Sequence, residues 1–322
     1  MTNGASAPVE VMVVGEYFCD LIFSGLQAPP RLGAELLADG LLVRPGGCYN
    51  MALALTRLGL STVWATDFGI DLFSRLVLDR AKSDGLDARA FRYLPQSVQR
   101  VSAAFSHGSE RGFISFSETA VRPPELGVVG LLRPAWLLQS FRFDGDWLTF
   151  VSDAKASGAK VFSDCRHGDF TLETPGIREF LALSDVFSPN EAEALALTGR
   201  TDVDAALGDL LAMTPTVVIK RGPLGAVGAN KDKRVAIAAP MLSVVDTIGA
   251  GDAFNAGYLA AQSWGYGFSD CVRLAVACGS LSTTGAGSSA TPDTISLATF
   301  IADHTEGGAP PLKPARTPLF AS

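Results

Sequence analysis

Apolar residues recur along this sequence with two periods that take turns. VEVMVVG (9–15) is a short, nearly unbroken apolar run, the mark of a strand buried on both faces. NMALALTRLG (50–59) spaces its apolar residues for one face of a helix and stops on Gly59. STVWATDFG (61–69) returns to strand character, and DLFSRLVLDRAKSDG (71–85) to helix. AWLLQS (135–140), KVFSDC (160–165) and DVFSP (185–189) read as successive parallel strands with helices between them. EAEALALTG (191–199), TVVIKRG (216–222) and a strand–turn–helix unit over 242–262 continue the rhythm. Such βαβ alternation predicts an α/β fold with a doubly wound, mostly parallel sheet covered on both faces.

Two stretches break the rhythm. Residues 20–45 hold short apolar runs separated by APPRLG and ADG, and 98–118 read as two strands flanking a polar GSERG turn. Together they predict a small antiparallel flap outside the main layer. One domain over 1–305 is expected, followed by a Pro-rich tail, EGGAPPLKPARTPLFAS (306–322), in extended or disordered form.

Composition narrows the classes. With 48% hydrophobic residues the chain can bury a sizeable core, which excludes a disordered or fibrous protein. A formal net charge of −7, without basic runs interleaved with aromatics, argues against nucleic acid as a partner. Five cysteines without CxxC spacing fit neither a disulfide framework nor a zinc cluster. No basic leader opens the chain and no apolar stretch has the length of a bilayer span, so a cytoplasmic location is expected.

The chemistry-bearing segments are few. In LSVVDTIGAGDAFNAG (242–257), Gly249, Ala250 and Gly251 can gather amides at a helix N-terminus, with the carboxylate of Asp252 beside them. No Lys or Arg lies nearby in sequence. The same turn also reads as a plain helix start capped by Asp252. No GxxxxGK[ST] loop occurs, which excludes a P-loop, and GAGSSA (285–290) fits a dinucleotide fingerprint only loosely. RPGGCYN (44–50) places Gly46, Gly47 and Asn50 before a helix, as ligand contacts or as a turn with an N-cap. Asn190 and Glu193 in SPNEAE have the spacing of a capping box, and the Glu193 carboxylate also suits a hydrated Mg²⁺. Asp20 in GEYFCD follows a strand and can accept from ligand hydroxyls. VVIKRGPLGAVG (217–228) is a Gly-spaced loop that floors a nucleotide or closes a hairpin.

Taken together, these segments resemble the PfkB family of carbohydrate kinases, also called ribokinase-like. DTIGAGDAFNAG (246–257) matches its carboxy-terminal signature and GGCYNMALALTRLG (46–59) its amino-terminal one. The Asn-x-x-Glu element, GEYFCD and KRGPLGA fall in the expected order, and the match spans roughly residues 9 to 292. The resemblance implies a three-layer α/β/α domain with a small β lid and phosphorylation of a hydroxyl by ATP with Mg²⁺. It casts Asp252 as general base and the amides of Gly249, Ala250 and Gly251 as the anion hole. Asp20, Gly46, Gly47 and Asn50 are implied to hold the acceptor, and Asn190, Lys220, Gly222 and Gly225 the nucleotide. Glu193 is implied to act on Mg²⁺ through water, and Asp246 with the segment from Gly285 to Ser289 on K⁺.

Departures from the family pattern bear on the acceptor. Cys48 and Tyr49 replace smaller residues, so an aromatic ring is expected to border it. Phe141 falls near the place of an acidic sugar ligand. DCRHGDF (164–170) lacks the Asn of an Asp-x-Asn-x-Arg pattern but keeps Asp164 and Arg166, the latter facing either the substrate or a surface partner. A sugar or sugar derivative is the leading acceptor. A nucleoside stacked on Phe18 or Tyr49 is the nearest alternative. A catalytically inactive relative and a nicotinamide-dependent oxidoreductase follow. An exposed lid sheet further suggests a homodimer.

Overall fold

The computed structural model describes residues 8–107, 110–166, 168–285 and 290–304. Thirteen strands run in chain order as β1 (Val11–Val14), β2 (Tyr17–Ser24), β3 (Gly40–Gly47), β4 (Thr62–Phe68), β5 (Phe91–Tyr93), β6 (Arg100–His107) and β7 (Glu110–Ser117), followed by β8 (Trp136–Gln139), β9 (Lys160–Asp164), β10 (Val186–Ser188), β11 (Thr216–Lys220), β12 (Ala226–Asn230) and β13 (Arg234–Ile237). Nine of them form one sheet in the order β13-β12-β11-β10-β9-β8-β1-β4-β5. From β11 to β5 every pairing is parallel, while β12 and β13 close the other edge antiparallel.

The unbroken apolar runs follow from burial on both sides. In β1, Val11 and Val13 face one core and Met12 and Val14 the other. Helices Cys48–Arg57, Ala250–Ser263 and Phe268–Ser282 fill the first core. Gly145–Ala156, Ile177–Leu183 and Val203–Leu211 cover the opposite face. Three layers result, as the resemblance implies.

The flap is real and larger than expected. It is a four-stranded sheet, β3-β2-β6-β7, that starts at Tyr17. It is mixed rather than antiparallel throughout: β2 pairs β3 antiparallel and β6 parallel, and β6 pairs β7 antiparallel. Asp20 therefore lies inside a lid strand, not in a turn after a core strand.

A second correction concerns 242–246, which forms no strand. The amides of Val245 and Asp246 instead donate to Thr283 O, at 2.8 and 3.2 Å, beyond the end of helix Phe268–Ser282. That side of the sheet already ends at β13, and Met241, Val244 and Val245 stay exposed. The tail over 306–322, residues 108–109 of the GSERG turn and 286–289 of the GAGSSA segment lie outside the described residues.

Candidate active site

The carboxyl ends of β1, β9 and β11 meet two lid strands and the N-terminus of helix Ala250–Ser263. Gly249 precedes that helix with φ +79°, a left-handed conformation that favours glycine. No side chain caps the first turn. The Ala250 amide reaches back to Thr247 O at 3.3 Å, whereas no backbone acceptor among the described residues meets those of Gly249 and Gly251. Those donors and the helix dipole leave partial positive charge there.

Asp252 stands in this turn, half-buried, and accepts a hydrogen bond of 3.1 Å from Asn50 Nδ2. The two glycine-rich segments, 202 residues apart, thus meet at one carboxylate. Burial, and then the charge of Asp164, push the Asp252 carboxyl up to about 7; the Asn50 bond and Lys220 pull the other way. Asp252 is therefore not without a cationic neighbour. Lys220 reaches it from the end of β11, a proximity that sequence distance hides.

The Lys220 ammonium donates to Asp164 Oδ1 at 2.7 Å and to Asn255 Oδ1 at 3.4 Å. Burial alone would lower its pKa; the carboxylates of Asp164, Glu193 and Asp252 outweigh this and raise it. Asn255 is fully buried one helical turn beyond Asp252, and its Nδ2 has no partner. Sequence reasoning gave Asp164 and Asn255 no role. The signal for Asn255 was a polar residue three positions from Asp252 in an alanine-rich helix.

Asp20 extends from the middle of β2, opposite Arg44 of β3 and Ser102 of β6. Burial pushes its carboxyl up to about 6, against the pull of Arg44. Gly46 makes room for it, since a Cβ there would collide with the Asp20 carboxylate. Gly47 turns the chain into helix Cys48–Arg57 with φ +64°, and a Cβ would lie 2.7 Å from Glu16 O. Glu16 pairs with Arg142 beside these residues.

Other expected residues sit elsewhere. Tyr49 is buried, packs edge-on against Trp64 and donates to Asp84, so it borders no acceptor. Phe141 lies wholly within a cluster of Phe143, Phe170, Phe180 and Phe187. Arg166 is exposed, its guanidinium 6.0 Å from the Phe170 ring centroid. Asn190 and Glu193 form a complete capping box, each side chain accepting from the other's amide at 2.8 and 2.7 Å. Gly222 and Gly225 belong to the tight β11–β12 hairpin, both at positive φ, and a Cβ at Gly225 would collide with Ile237 O. Asp246 Oδ1 accepts from the Ile248 amide at 2.9 Å, ordering the approach to Gly249.

No group of three or more His, Cys, Asp or Glu among the described residues forms a metal cage. Mg²⁺ keeps several waters and binds through one or two carboxylates plus substrate phosphates. A lone Glu193, whose charge reaches Lys220, fits that mode of binding and no tighter one. Among the described residues, no helix is long and apolar enough to cross a membrane.

Over 249 residues the chain is 38% identical to a cytidine kinase of Thermococcus kodakarensis, covering 71% of this chain and 84% of that protein. It is 30% identical over 292 residues to a fructokinase of Klebsiella pneumoniae, covering 79% and 91%. Its fold superposes on the Arabidopsis thaliana ribokinase complexed with ribose and ATP with a TM-score of 0.79, at 22% identity, over 91% of this chain and 99% of that one. The sequence model of pfkB family carbohydrate kinases matches residues 10–295, and the chain belongs to that family.

Proposed function

We propose that the protein transfers the γ-phosphoryl group of ATP to a hydroxyl of a neutral sugar or sugar derivative. The observation that carries this is the half-buried Asp252 carboxylate, hydrogen-bonded to Asn50 at the uncapped start of helix Ala250–Ser263. Asp20, Gly46, Gly47 and Asn50 surround the acceptor. Asp252 takes the proton from its hydroxyl, and the amides of Gly249 and Gly251 meet the migrating phosphoryl group. Asn190, Gly222 and Gly225 lie toward the nucleotide. Glu193 holds Mg²⁺ through water, and the ion when bound neutralises phosphate charge. Asp246 is the residue placed for a monovalent cation.

Charge pairing supports a neutral acceptor. On the acceptor side Arg142 is taken up by Glu16 and Arg44 faces Asp20, while Arg166 is exposed. A sugar acid would need a free cation at this place. An ADP-release screen over neutral sugars, sugar acids and nucleosides tests the proposal. Turnover confined to nucleosides would overturn it in favour of a second reading, a nucleoside kinase. That reading is favoured by the 38% identity to the cytidine kinase and leaves half-buried Phe18 as the ring platform, since Tyr49 and Phe141 face the core.

We further infer a homodimer built on the outer face of the lid. In register across its four strands lie Val43, Leu21, Ala103 and Ile114, then Pro45, Cys19, Val101 and Phe116. Every member of both rows is apolar, and Val43, Ile114 and Phe116 are exposed.

A further inference from the structure

Lys220 ends β11 with its side chain on the same face as Val218, which packs into the core shared with helix Ala250–Ser263. Its ammonium does not follow Gly222 and Gly225 toward the hairpin turn. It points beneath the first turn of that helix, held by Asp164 and Asn255. An ammonium has three donor hydrogens, and these two acceptors take two. The third remains for a ligand.

Gly251 shows where that ligand fits. A Cβ built on Gly251 would lie 3.7 Å from Lys220 Nζ, with no other described residue outside its own helical turn within 4 Å. The ammonium therefore faces the first turn at Gly251, and a residue larger than alanine there would crowd it. Lys220 and Asp252 also feel each other's charge, so the space beside Gly251 lies in reach of both the base and the cation.

We propose that Lys220 is a further catalytic residue, its ammonium meeting the transferring phosphoryl group in the space beside Gly251. The inference rests on the phosphotransfer reading above. In that step the acceptor oxygen bonds to the γ-phosphorus as the bond from that phosphorus to the β,γ-bridging oxygen breaks. ADP keeps the electron pair, and Asp252 takes the hydroxyl proton. Lys220 exchanges no proton; it offsets charge on the equatorial oxygens, opposite the amides. Asp164 and Asn255 act as positioning residues, fixing the ammonium before the nucleotide arrives.

Steady-state kinetics on the full chain, with the acceptor found in the screen, test this. Lys220→Met should lower kcat about 10²- to 10³-fold, the loss typical of a phosphoryl or oxyanion donor. KM for ATP and for the acceptor should change less than about threefold, since the contact strengthens only during transfer. Lys220→Arg should recover part of the rate. The acidic limb of the rate profile should move to higher pH in Lys220→Met, because Asp252 loses its cation. Lys220→Met leaves Asp164 buried and unpaired, which alone can unfold the chain. The double variant Lys220→Met/Asp164→Asn removes both charges and should fold yet stay slow. A raised KM for ATP at unchanged kcat, or wild-type kcat in the double variant, would overturn the proposal while leaving the phosphotransfer reading intact. A wild-type chain that phosphorylates no hydroxyl acceptor would overturn both.

Discussion

The Asp252 carboxyl, pushed up to about 7 by burial, must be ionised to accept a proton, so kcat/KM should rise with pH through about 7. Asp20, pushed up to about 6, adds a second, lower limb. Asp252→Asn should abolish turnover and spare nucleotide binding; residual turnover above one per cent would remove Asp252 from its role. Stability moves in the opposite sense. The folded pKa lies above the ordinary 3.8, so the native state binds the extra proton between about pH 4 and 7. Stability from this group is complete below pH 4, is lost as pH rises to about 7, and is flat beyond. Asp252→Asn should therefore be more stable than wild type at pH 8, by on the order of 2–4 kcal/mol and visible as a higher Tm, and converge with it near pH 4. Gly46→Ala is expected to raise the acceptor KM at least tenfold at an unchanged ATP KM, because its methyl displaces the Asp20 carboxylate. At this scale the sequence showed which residues were chemical but not which were neighbours. Asp252 with its glycines, Asn50 and Asp20 announced themselves by type and local spacing. The sequence points Lys220 to the nucleotide and keeps Asp164 only as part of a family pattern. Their approach to Asp252 is not legible there, since it depends on strands and a helix distant in sequence.

Asn190 and Glu193 serve an element as a capping box, and the proposed function gives the same pair a place in the site. The capping box closes the start of helix Glu191–Thr198, so Asn190→Ala should cost about 1 kcal/mol of stability. Glu193→Gln keeps an acceptor for the Asn190 amide and removes the charge. If Glu193 orders Mg²⁺, this variant should keep the wild-type Tm while its KM for Mg·ATP rises several-fold in a magnesium titration. Unchanged kinetics would reduce the residue to its cap. Most elements were legible because period and burial coincide: VMVV reads as a strand because both its faces are covered. The exception, 242–246, has equal apolar character but no free strand beside it, and its amides found Thr283 instead. Apolar runs report burial-capable segments; pairing depends on which edge the rest of the sheet leaves open. Tyr49 and Phe141 misled in a similar way. An aromatic near a site is as well used for packing as for binding: helix phase turned Tyr49 toward the core, and the loop after β8 placed Phe141 in a phenylalanine cluster.

The lid's two faces differ beside the site. One carries Asp20 between Arg44 and Ser102, while the next row on that face, Leu42, Ile22, Ala104 and Phe113, is apolar; the other carries two apolar rows. Its inner face presents Arg44, Asp20 and Ser102 in one row, with Ser102 hydrogen-bonded to Ser115 at 2.9 Å. Its outer face carries the apolar rows through Leu21 and Cys19, with Ile114 69% and Phe116 54% exposed on the edge strand. Helix Leu72–Ser83 covers the Tyr17 end of this face, where Cys19 is also buried, and the exposed apolar residues beyond it, Val43, Ile114 and Phe116, favour a further cover in water. A second copy laid face to face supplies one, self-complementary by symmetry. The lid then becomes the core of a small sandwich, which also fixes the position of Asp20 over Asp252. Phe116→Glu places a charge in the centre of that contact. Sedimentation should show a dimer for wild type and a monomer for Phe116→Glu at equal concentration. Because Asp20 is held through the same sheet, the monomer should also show a raised acceptor KM with the ATP KM little changed. A wild-type chain that sediments as a monomer would refute the interface, and a monomeric variant with wild-type kinetics would show that the lid positions Asp20 without its partner.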